Sequence, residues 1–375
     1  MSFLLQTSFT LALTITCIII LAIQSVYFFL LLAALRKGDA KNNDGYPPVS
    51  VIVCAHDEEE NLRELIPQLL LQQYPMFEVI IVDDRSNDGT YDFLLQATRE
   101  NDRLKMVQVK QKPDHINGKK FALTLGIKAA QHDWVLLTDA DCRPASYEWI
   151  YSMSRHFQGV TQLVLGYSPY ETEKGLLNSF IRFESLLTGI QFIGMALLGR
   201  PYMGVGRNLA YRKDLFLKSK GFHPHLEVTG GDDDLFVNQH AAKENTAVCV
   251  GADSLVLSQP KKTLKEFLHQ KFRHLSVGKK YKRSDKIWLG MVSVSWILTW
   301  FLVLPSLMFM QWIEVLSGFF LLRMLLLSLV MHYGPKKLGT RFEVWKTPFL
   351  DFIYSFYYLV TGAKALFVKK VKWKA

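Results

Sequence analysis

The chain contains 375 residues, of which 49% are hydrophobic, and it carries a formal net charge of +10. This length suits one large domain with additional segments, and the hydrophobic share is that of an ordinary globular protein. The positive charge favours anionic membrane surfaces or diphosphate ligands, and the lack of a recognisable nucleic-acid-binding module argues against nucleic acid as a partner. The four cysteines are scattered without a CxxC pair, so neither a disulfide framework nor a zinc site is indicated.

An uncharged apolar run at residues 9–35 begins the chain, and it is long enough to cross about 30 Å of hydrocarbon. Arg36 and Lys37 follow directly, and the positive-inside rule places them in the cytoplasm. A cleaved signal peptide would begin with basic residues, which positions 1–10 lack, and would have a shorter apolar core. We therefore predict a transmembrane anchor over residues 1–37, followed by a cytoplasmic domain.

After a linker at residues 38–48, apolar runs alternate with segments of helical spacing. The apolar, β-branched runs predict buried strands, and the segments with apolar residues on one face predict helices. Buried strands that alternate with helices indicate an α/β fold with a parallel sheet covered on both faces. The predicted strands are 49–55, 77–82, 105–109 and 134–138, and the predicted helices are 58–73, 90–100 and 120–130.

Polar clusters follow three of these predicted strands. His56 and Glu58 come after the first strand, Asp84 after the second, and Asp139 and Asp141 after the fourth. In such sheets the ligand binds beyond the carboxyl ends of the strands. Asp is common in turns and could explain any single cluster. Three clusters at three strand ends favour one shared crevice.

Asp139 and Asp141 are two positions apart, so both side chains can point to the same side of the strand end. Carboxylates in this arrangement, together with substrate phosphates, commonly hold Mg²⁺ or Mn²⁺. Lys119, a short distance upstream, could reach the same phosphates. We interpret the two carboxylates as a metal site rather than as a simple turn.

The segment 230–234, Gly-Gly-Asp-Asp-Asp, predicts a tight loop before a helix that begins near Leu235. Asp is favoured at helix N-caps, which is the alternative interpretation. One Asp is enough for a cap, however, and three adjacent carboxylates repel one another. We therefore favour a general base that takes a proton from an acceptor hydroxyl.

Gln270 and Arg273 are three residues apart and so share one face of a predicted amphipathic helix within residues 262–283. The planar fork of an Arg side chain matches phosphate oxygens, which assigns Arg273 to a leaving diphosphate. The basic residues at positions 279–283 are interpreted as a solvated surface next to the membrane.

Three further apolar stretches follow, at residues 287–310, 312–333 and 347–368. The first two are separated by a short polar turn and predict a transmembrane hairpin over 287–333. The third contains Asp351 and Lys364, which are costly inside a bilayer, and a basic tail follows it. We expect this segment to be interfacial or re-entrant, with a further transmembrane span as the alternative.

From about Pro48 to Tyr281 the chain resembles the family 2 glycosyltransferases, which have a GT-A fold. Four ordered motifs carry the resemblance: residues 51–59 are similar to the opening strand, and residues 82–90 to the nucleoside-binding turn. Asp139-Ala140-Asp141 matches the metal-binding triplet, and Gln270-x-x-Arg273 matches the diphosphate-binding motif of the membrane-integrated members. Asp232 aligns with the catalytic base and Asp234 with the acid that follows it.

The resemblance implies a membrane-bound, inverting enzyme that transfers a sugar from a nucleotide-diphosphate sugar, expected to be UDP-linked, to an acceptor hydroxyl. It places the enzyme in the cell membrane as a multi-pass protein. Asp232 would be the base, Asp141 and Asp139 would hold the metal, and a lipid or lipid-linked acceptor would meet the amphipathic segment 176–212. An ordinary core helix is the equal alternative for the apolar part of this segment. The implied donor-binding residues are His56, Glu58, Asp84, Lys119, Asp139, Gln270 and Arg273, and the implied acceptor-side residues are Gly206, Arg207, Asn208, Asp233 and Asp234.

Two positions depart from the family pattern. Gly231 stands where an acid usually precedes the base, and His274 stands where a Trp usually ends the diphosphate motif. The missing Trp weakens the alternative of a processive polysaccharide synthase. A catalytically silent nucleotide-sugar-binding protein is a further alternative, although the retained acids and Arg273 argue against it. The oligomeric state stays open.

Overall fold

Strands and helices alternate through the first part of the domain, as the apolar pattern predicts. The computed structural model describes residues 2–38, 45–113, 116–226, 228, 230–307 and 312–367. Within these ranges the strands are β1 (Val49–Ala55), β2 (Phe77–Asp84), β3 (Leu104–Val109), β4 (Trp134–Asp139), β5 (Cys142–Pro144), β6 (Leu163–Leu165), β7 (Leu209–Arg212), β8 (Thr246–Val248) and β9 (Val256–Ser258). The predicted strands therefore agree with β1 to β4 to within two residues.

Helices cover the remaining apolar segments of the described chain. They are α1 (Ser2–Leu35), α2 (Glu59–Leu70), α3 (Thr90–Glu100), α4 (Gly118–Ala129), α5 (Trp149–Ser154), α6 (Leu176–Leu197), α7 (Lys213–Lys218), α8 (Asp234–His240), α9 (Leu264–Gly278), α10 (Arg283–Leu298), α11 (Leu304–Ser306), α12 (Ile313–Leu338) and α13 (Thr347–Phe367). A π-helical segment, Thr299–Val303, joins α10 to α11.

The main sheet has seven strands in the order β3-β2-β1-β4-β7-β6-β8. Strands β1 to β4 are parallel, as predicted, but β7 is antiparallel to both β4 and β6. The predicted parallel arrangement of these four strands is confirmed, and the antiparallel β7 makes the complete sheet mixed. Strands β6, β7 and β8 contain only three or four residues each, which is too short for a clear apolar period.

Two apolar layers cover the faces of the sheet. Val51 and Val53 of β1 face a layer that includes Leu62 and Leu65 of α2, whereas Ile52 faces the opposite layer with α4. The layers alternate because successive side chains of a strand point to opposite faces. β1 is therefore buried on both sides, which explains why its sequence is almost continuously apolar.

Four helical segments are long and apolar enough to cross a membrane, judged by length and composition: Thr10–Leu35, Leu176–Leu197, Arg283–Ser306 and Ile313–Leu338. The first, third and fourth coincide with the predicted anchor and hairpin. Residues 308–311, at the predicted hairpin turn, lie outside the described residues. Helix α6 differs, because 78% of its apolar window is buried inside the protein.

The structure corrects the prediction for residues 176–212. Only Leu176–Leu197 is helical, and the rest contains a short 3₁₀ turn and strand β7. Helix α6 is also not amphipathic in its surroundings, since residues on all sides of it are buried. Its mean hydropathy of 1.3 is the lowest of the four candidates, which fits a core helix as well as a membrane helix.

Helix α13 covers the ambiguous segment 347–368 and has two contrasting faces. Phe349, Phe352, Phe356 and Val360 are exposed, while the opposite side carries the fully buried Asp351. The basic tail predicted after this helix lies outside the described residues. An apolar outer face and a polar inner face are the reverse of a water-soluble helix, which fits contact with lipid.

Asp351 is neutralised by Arg323 of α12, which is also fully buried. Arg323 Nη2 donates to Asp351 Oδ1 at 2.9 Å, and the indole Nε1 atoms of Trp296 and Trp300 donate to the same carboxylate at 2.7 and 3.0 Å. Gln24 of α1 accepts from Arg323 Nε at 2.6 Å. This network joins four helices and accounts for an acidic residue that the sequence alone made appear costly.

We expect Asp351→Ala to destabilise the helix assembly by on the order of 3–5 kcal/mol, because Arg323 would remain buried without a counter-charge. The double variant Arg323→Met/Asp351→Leu removes both charges and should lie close to the wild type. Thermal unfolding of the detergent-solubilised protein measures both. A single variant as stable as the wild type would contradict a structural role for this ion pair.

Candidate active site

The carboxyl ends of β1, β2 and β4 lie at one edge of the sheet. Cys54 is level with Asp139, and Ala55 is level with Asp83, so the polar residues that follow these strands are neighbours. They open into a cleft of about 1600 Å³. Nine of the residues singled out from the sequence line this cleft: His56, Glu58, Asp84, Lys119, Asp139, Asp141, Arg207, Gln270 and Arg273.

Tight turns hold the side of the cleft formed by β1 and β2. His56 Nδ1 contacts the carbonyl oxygen of Asp84 at 2.6 Å, and Arg85, in the left-handed backbone region at φ +61°, donates from Nε to Asp84 Oδ1 at 2.8 Å. A Cβ atom at Gly118 would lie 2.8 Å from Asp84 Oδ2. The glycine that begins α4 is therefore required for the helix to approach Asp84 so closely.

The side chains of Asp139, Asp141 and Cys142 bring potential metal ligands within 4.8 Å of one another. Burial raises the pKa of the Cys142 thiol well above its usual range, and thiolates suit softer metals than Mg²⁺ or Mn²⁺. The two carboxylates line the cleft and supply hard oxygen ligands. This donor set fits Mg²⁺ or Mn²⁺, which accept one or two carboxylates together with phosphate oxygens and water.

Lys119 joins the two acidic parts of the site. Its Nζ atom lies 2.8 Å from Asp139 Oδ1 and 3.4 Å from Asp232 Oδ2. Burial opposes the charge of Lys119, but Asp139, Asp232 and Asp233 outweigh this effect and raise its pKa well above the usual range. Desolvation likewise opposes ionisation of Asp139, whereas Lys119, Arg207 and Arg273 lower its pKa. The sequence predicted Lys119 near a phosphate but did not predict its contact with Asp232.

The acidic loop before α8 places each carboxylate differently. Asp232 is buried and faces Lys119. Asp233 caps α8 by accepting from the backbone N–H of Asp234 at 2.7 Å, and it also accepts from the N–H of Gly206 at 2.7 Å. Burial and the Asp232 carboxylate raise the pKa of Asp233. The capping interpretation therefore describes Asp233, while Asp232 is the carboxylate directed towards the cleft lysine.

Asp234 points away from the cleft, since its Oδ2 atom accepts from the hydroxyl of Tyr281 at 2.9 Å. Burial and the neighbouring Asp233 raise the pKa of Asp234 well above its usual range. Asn208 is also turned inward: its Nδ2 donates to the carbonyl oxygens of Tyr167 and Ser254 at 2.8 and 2.7 Å. The structure thus places these two predicted acceptor-side residues behind the wall of the cleft.

Arg207 lines the cleft and directly follows Gly206, whose backbone N–H donates to Asp233. Its guanidinium group is 4.9 Å from the ring centroid of Tyr170, whose hydroxyl contacts Gln270 Oε1 at 3.3 Å. Asp139 and Asp141 are close enough to raise the pKa of Arg207, although burial opposes its charge. Arg207 therefore shares the electrostatic environment of the carboxylates Asp139 and Asp141. Tyr170 was not foreseen, because a single Tyr outside any motif gives no sequence signal.

Gly231 explains one departure from the family pattern. Its φ is +78°, a conformation that favours glycine, and an added Cβ would lie 2.6 Å from Leu235 and 3.1 Å from Val277. An acid at this position would therefore require a different path for the loop. His274, the other departure, is exposed on α9 and does not line the cleft.

The mixed sheet, the paired carboxylates at the end of β4 and the acidic loop that contacts them through Lys119 agree with the GT-A glycosyltransferase fold that the sequence motifs predict. Residues 50–218 match the family model described as Glycosyl transferase family 2. The chain therefore contains a family 2 glycosyltransferase domain of bacterial type, as the sequence motifs predict.

Two curated relatives and one solved structure illustrate the similarity. The chain is 29% identical over 192 residues to the probable glycosyltransferase YdaM of Bacillus subtilis, covering 48% of this chain and 44% of the relative. It is 28% identical over 122 residues to the poly-beta-1,6-N-acetyl-D-glucosamine synthase of Staphylococcus aureus, covering 32% of this chain and 28% of the relative. The chain thus spans less than half of either relative.

The mannosyltransferase PcManGT from Pyrobaculum calidifontis, solved with GDP-Man and Mn²⁺, superimposes with a TM-score of 0.63 at 16% identity. The match covers 97% of this chain and 99% of that chain. At this identity the comparison establishes a shared fold, which here includes the helical segments as well as the sheet.

We expect Gly231→Ala to destabilise the protein more than Gly159→Ala does. Both glycines have positive φ, and a Cβ there costs of order 1–2 kcal/mol from the backbone alone. The space around Gly159 is open, whereas a Cβ at Gly231 would press on Leu235 and Val277. Thermal unfolding of the two variants measures the difference, and equal losses of stability would contradict the close contact at Gly231.

Proposed function

We propose that the protein is a membrane-bound, inverting glycosyltransferase that transfers a sugar from a nucleotide-diphosphate sugar, expected to be UDP-linked, to an acceptor hydroxyl. One observation carries this proposal: Lys119, which lines the cleft together with Asp139 and Asp141, contacts both Asp139 and the buried Asp232 behind it. A metal-binding side and a base side are thus only one lysine side chain apart.

The donor would occupy the part of the cleft beyond β1, β2 and β4. His56, Glu58 and Asp84 would contact the nucleoside, because they lie at the ends of β1 and β2. Asp139 and Asp141 would hold Mg²⁺ or Mn²⁺, which neutralises charge on the diphosphate when bound. Gln270 and Arg273 on α9 would hold the diphosphate from the opposite wall.

The proposed reaction is a single displacement at the anomeric carbon. Asp232 takes the proton of the acceptor hydroxyl while the new oxygen–carbon bond forms and the bond to the diphosphate breaks, which inverts the configuration. Arg273 and Lys119 stabilise the negative charge that develops on the leaving diphosphate. Lys119 can serve this purpose because it already lies beside Asp139, at the proposed metal side of the cleft.

The size and lining of the cleft support a lipid or lipid-linked acceptor. Single ligand pockets usually measure about 300–1,000 Å³, and this cleft of about 1600 Å³ has room for a second substrate. Its lining includes apolar side chains of α9, namely Leu264, Leu268 and Phe272, and lysines of α9, α13 and the loop before α9, namely Lys261, Lys262, Lys265 and Lys364. Apolar and basic groups together suit an amphipathic, anionic molecule.

We further propose that the protein is a multi-pass protein of the cell membrane with its catalytic domain in the cytoplasm. The support is the apolar character of α1, α10 and α12 and the basic residues Arg36, Lys37, Lys336 and Lys337 at the domain-facing ends of α1 and α12. The exposed aromatic face of α13 supports an interfacial position for that helix.

A processive polysaccharide synthase is the second candidate, because one relative carries the name of such a synthase. The alignment with that relative covers only 28% of its length, and His274 replaces the Trp that the resemblance associates with chain-building members. Product length separates the two candidates.

The test is an assay of the detergent-purified protein with a panel of nucleotide sugars, Mn²⁺ or Mg²⁺, and membrane lipid extract as the acceptor. Metal-dependent release of a nucleoside diphosphate, with label entering the lipid fraction, is the expected result. Label in a long water-soluble polymer would support the synthase instead. Bound nucleotide without release from any donor would overturn the proposed enzyme activity.

Asp232→Asn should reduce turnover by about two to four orders of magnitude, because the amide cannot take up the proton of the acceptor hydroxyl. Donor binding, measured by calorimetry, should persist, since Asp232 lies on the base side of Lys119. Asp233→Asn is the matched control, because the Asp233 carboxylate caps α8 and accepts a hydrogen bond from the backbone N–H of Gly206. Near-normal turnover by Asp232→Asn would remove this residue from the role of base.

Asp141→Asn should weaken the dependence of activity on the metal. The amide loses the negative charge that attracts a divalent cation, so half-maximal activity should require a higher Mn²⁺ concentration, by roughly tenfold or more. Mn²⁺ binding to the donor-loaded protein, followed by electron paramagnetic resonance, reports the same change without turnover. An unchanged Mn²⁺ affinity would contradict the assignment of Asp141.

A further inference from the structure

The base loop is hydrogen-bonded to the junction between α9 and the apolar helix α10. Asp234, two residues after Asp232, accepts from the Tyr281 hydroxyl at 2.9 Å. Tyr281 lies in the short turn between α9 and α10, and both side chains of this bond are buried. A buried hydrogen bond to a carboxylate fixes direction as well as distance, because no water is available to replace it.

A second set of hydrogen bonds connects α8, the helix that follows the base loop, to the start of α10. Asn238 of α8 donates from Nδ2 to Asp285 Oδ2 at 2.8 Å, and its Oδ1 accepts from the backbone N–H of Lys282 at 2.8 Å. Asn238 is 1% exposed, whereas Asp285 is half-buried and Lys282 is exposed, so these bonds tie a buried side chain to the surface of the protein. The two ends of α8 are thus held by the α9–α10 turn and by the first turn of α10.

Packing reinforces the hydrogen bonds. Val277 of α9 is the side chain that closes against Gly230 and Gly231, at distances of 3.3 and 3.1 Å from where a Cβ would stand. The ring of Tyr281 also meets the edge of Tyr202, with centroids 6.3 Å apart. The close packing of Val277 against Gly230 and Gly231 leaves little space for Asp232 to move independently of α9.

Helix α9 also carries the residues that face the donor. Gln270 and Arg273 line the cleft, and Val277 and Tyr281 follow them later in α9 and in the turn after it. The same continuous segment therefore contacts the donor side of the cleft and supports the base loop. A shift of α9 or of α10 would alter the distance between the base and the donor.

We propose that Tyr281 and Asp285 are positioning residues, which fix the base loop to the α9–α10 junction and so set the location of Asp232 relative to the donor. This inference rests on the proposed function. Tyr281 acts through Asp234, and Asp285 acts through Asn238, so neither residue touches a substrate. The start of an apolar, candidate membrane helix thereby becomes part of the framework of the active site.

The test compares Tyr281→Phe and Asp285→Ala with the wild-type full chain in detergent, using the donor and Mn²⁺ identified by the panel assay. A displacement of the base by a fraction of an ångström to 1 Å costs about 10- to 100-fold in kcat. We expect a loss of this size in both variants, with the donor KM and the calorimetric donor affinity changed by less than about twofold.

Two control variants separate positioning from general destabilisation. Asp285→Asn keeps an oxygen that can accept from Asn238, so it should restore most of the turnover lost in Asp285→Ala. Tyr74→Phe removes another buried hydroxyl of the same domain, which donates to the Pro47 carbonyl at 2.7 Å far along the chain from the base loop. It should lower thermal stability as much as Tyr281→Phe without lowering kcat.

Outcomes for the two proposals are distinct. A wild-type protein that releases no diphosphate from any donor overturns the proposed function. An active wild type with unchanged kcat in Tyr281→Phe and Asp285→Ala overturns the positioning role alone. A rise in donor KM at constant kcat would also overturn it, because the effect would then lie in donor binding. A kcat loss that Asp285→Asn fails to restore would overturn the specific role of the Asn238 bond.

Discussion

Carboxylates that share a poorly solvated cleft are stable only when cations share it with them. In this protein Asp139 and Asp141 lie together at the end of β4, Asp232 comes from a loop far along the chain, and the rest of the site is arranged around their charge. Lys119 lies between two of them, at 2.8 and 3.4 Å, and Arg207 and Arg273 lower the pKa of Asp139 from further away. A metal-bound diphosphate would add both a cation for the carboxylates and an anion for Lys119 and the arginines. The charges of the cleft could therefore be balanced both with and without this ligand.

The helical part also contains buried charges, and there protein groups alone neutralise them. Asp351 and Arg323 are both fully buried, and two Trp side chains and Gln24 complete their hydrogen bonds. In the cleft the charges are partly exposed and can exchange partners during a reaction. Between the helices they are saturated by protein groups, which suits a structural role. Both clusters contain acidic and basic side chains. The greater exposure of the cleft cluster suits a reactive role, and the full burial of Asp351 and Arg323 suits a structural one.

Sequence patterns predicted the parts of the fold that depend on local order. β1 to β4 are apolar over six to eight residues and were recognised, whereas β6, β7 and β8, at three or four residues, were not. The polar clusters were placed together correctly because parallel strands end at one edge. The contact of Lys119 with Asp232 joins residues more than a hundred positions apart, and no periodicity in the sequence reports such a distance.

The same limit applies to α6 and α13. The composition of α6 suits a membrane span, but its neighbours bury it, and those neighbours come from remote segments. For α13, Asp351 indicated an unusual helix, but its partner Arg323 lies 28 positions earlier and is identified only by the structure. Arg323 stands alone in an apolar segment, so the pair could have been anticipated by treating each intramembrane charge as a residue in need of a partner.

Helix α9 and the turn that follows it connect the chemistry to the helical assembly. Gln270 and Arg273 face the cleft, Val277 packs on the base loop, and Tyr281 binds Asp234 just before α10 begins. A water-soluble enzyme could hold its base on any rigid loop. Here the proposed base is held by the segment that leads into an apolar helix, so the proposed lipid acceptor would meet this base and the donor in fixed relation to one another. The position of Tyr281 thus gives a physical reason for the domain and the helices to be parts of one chain.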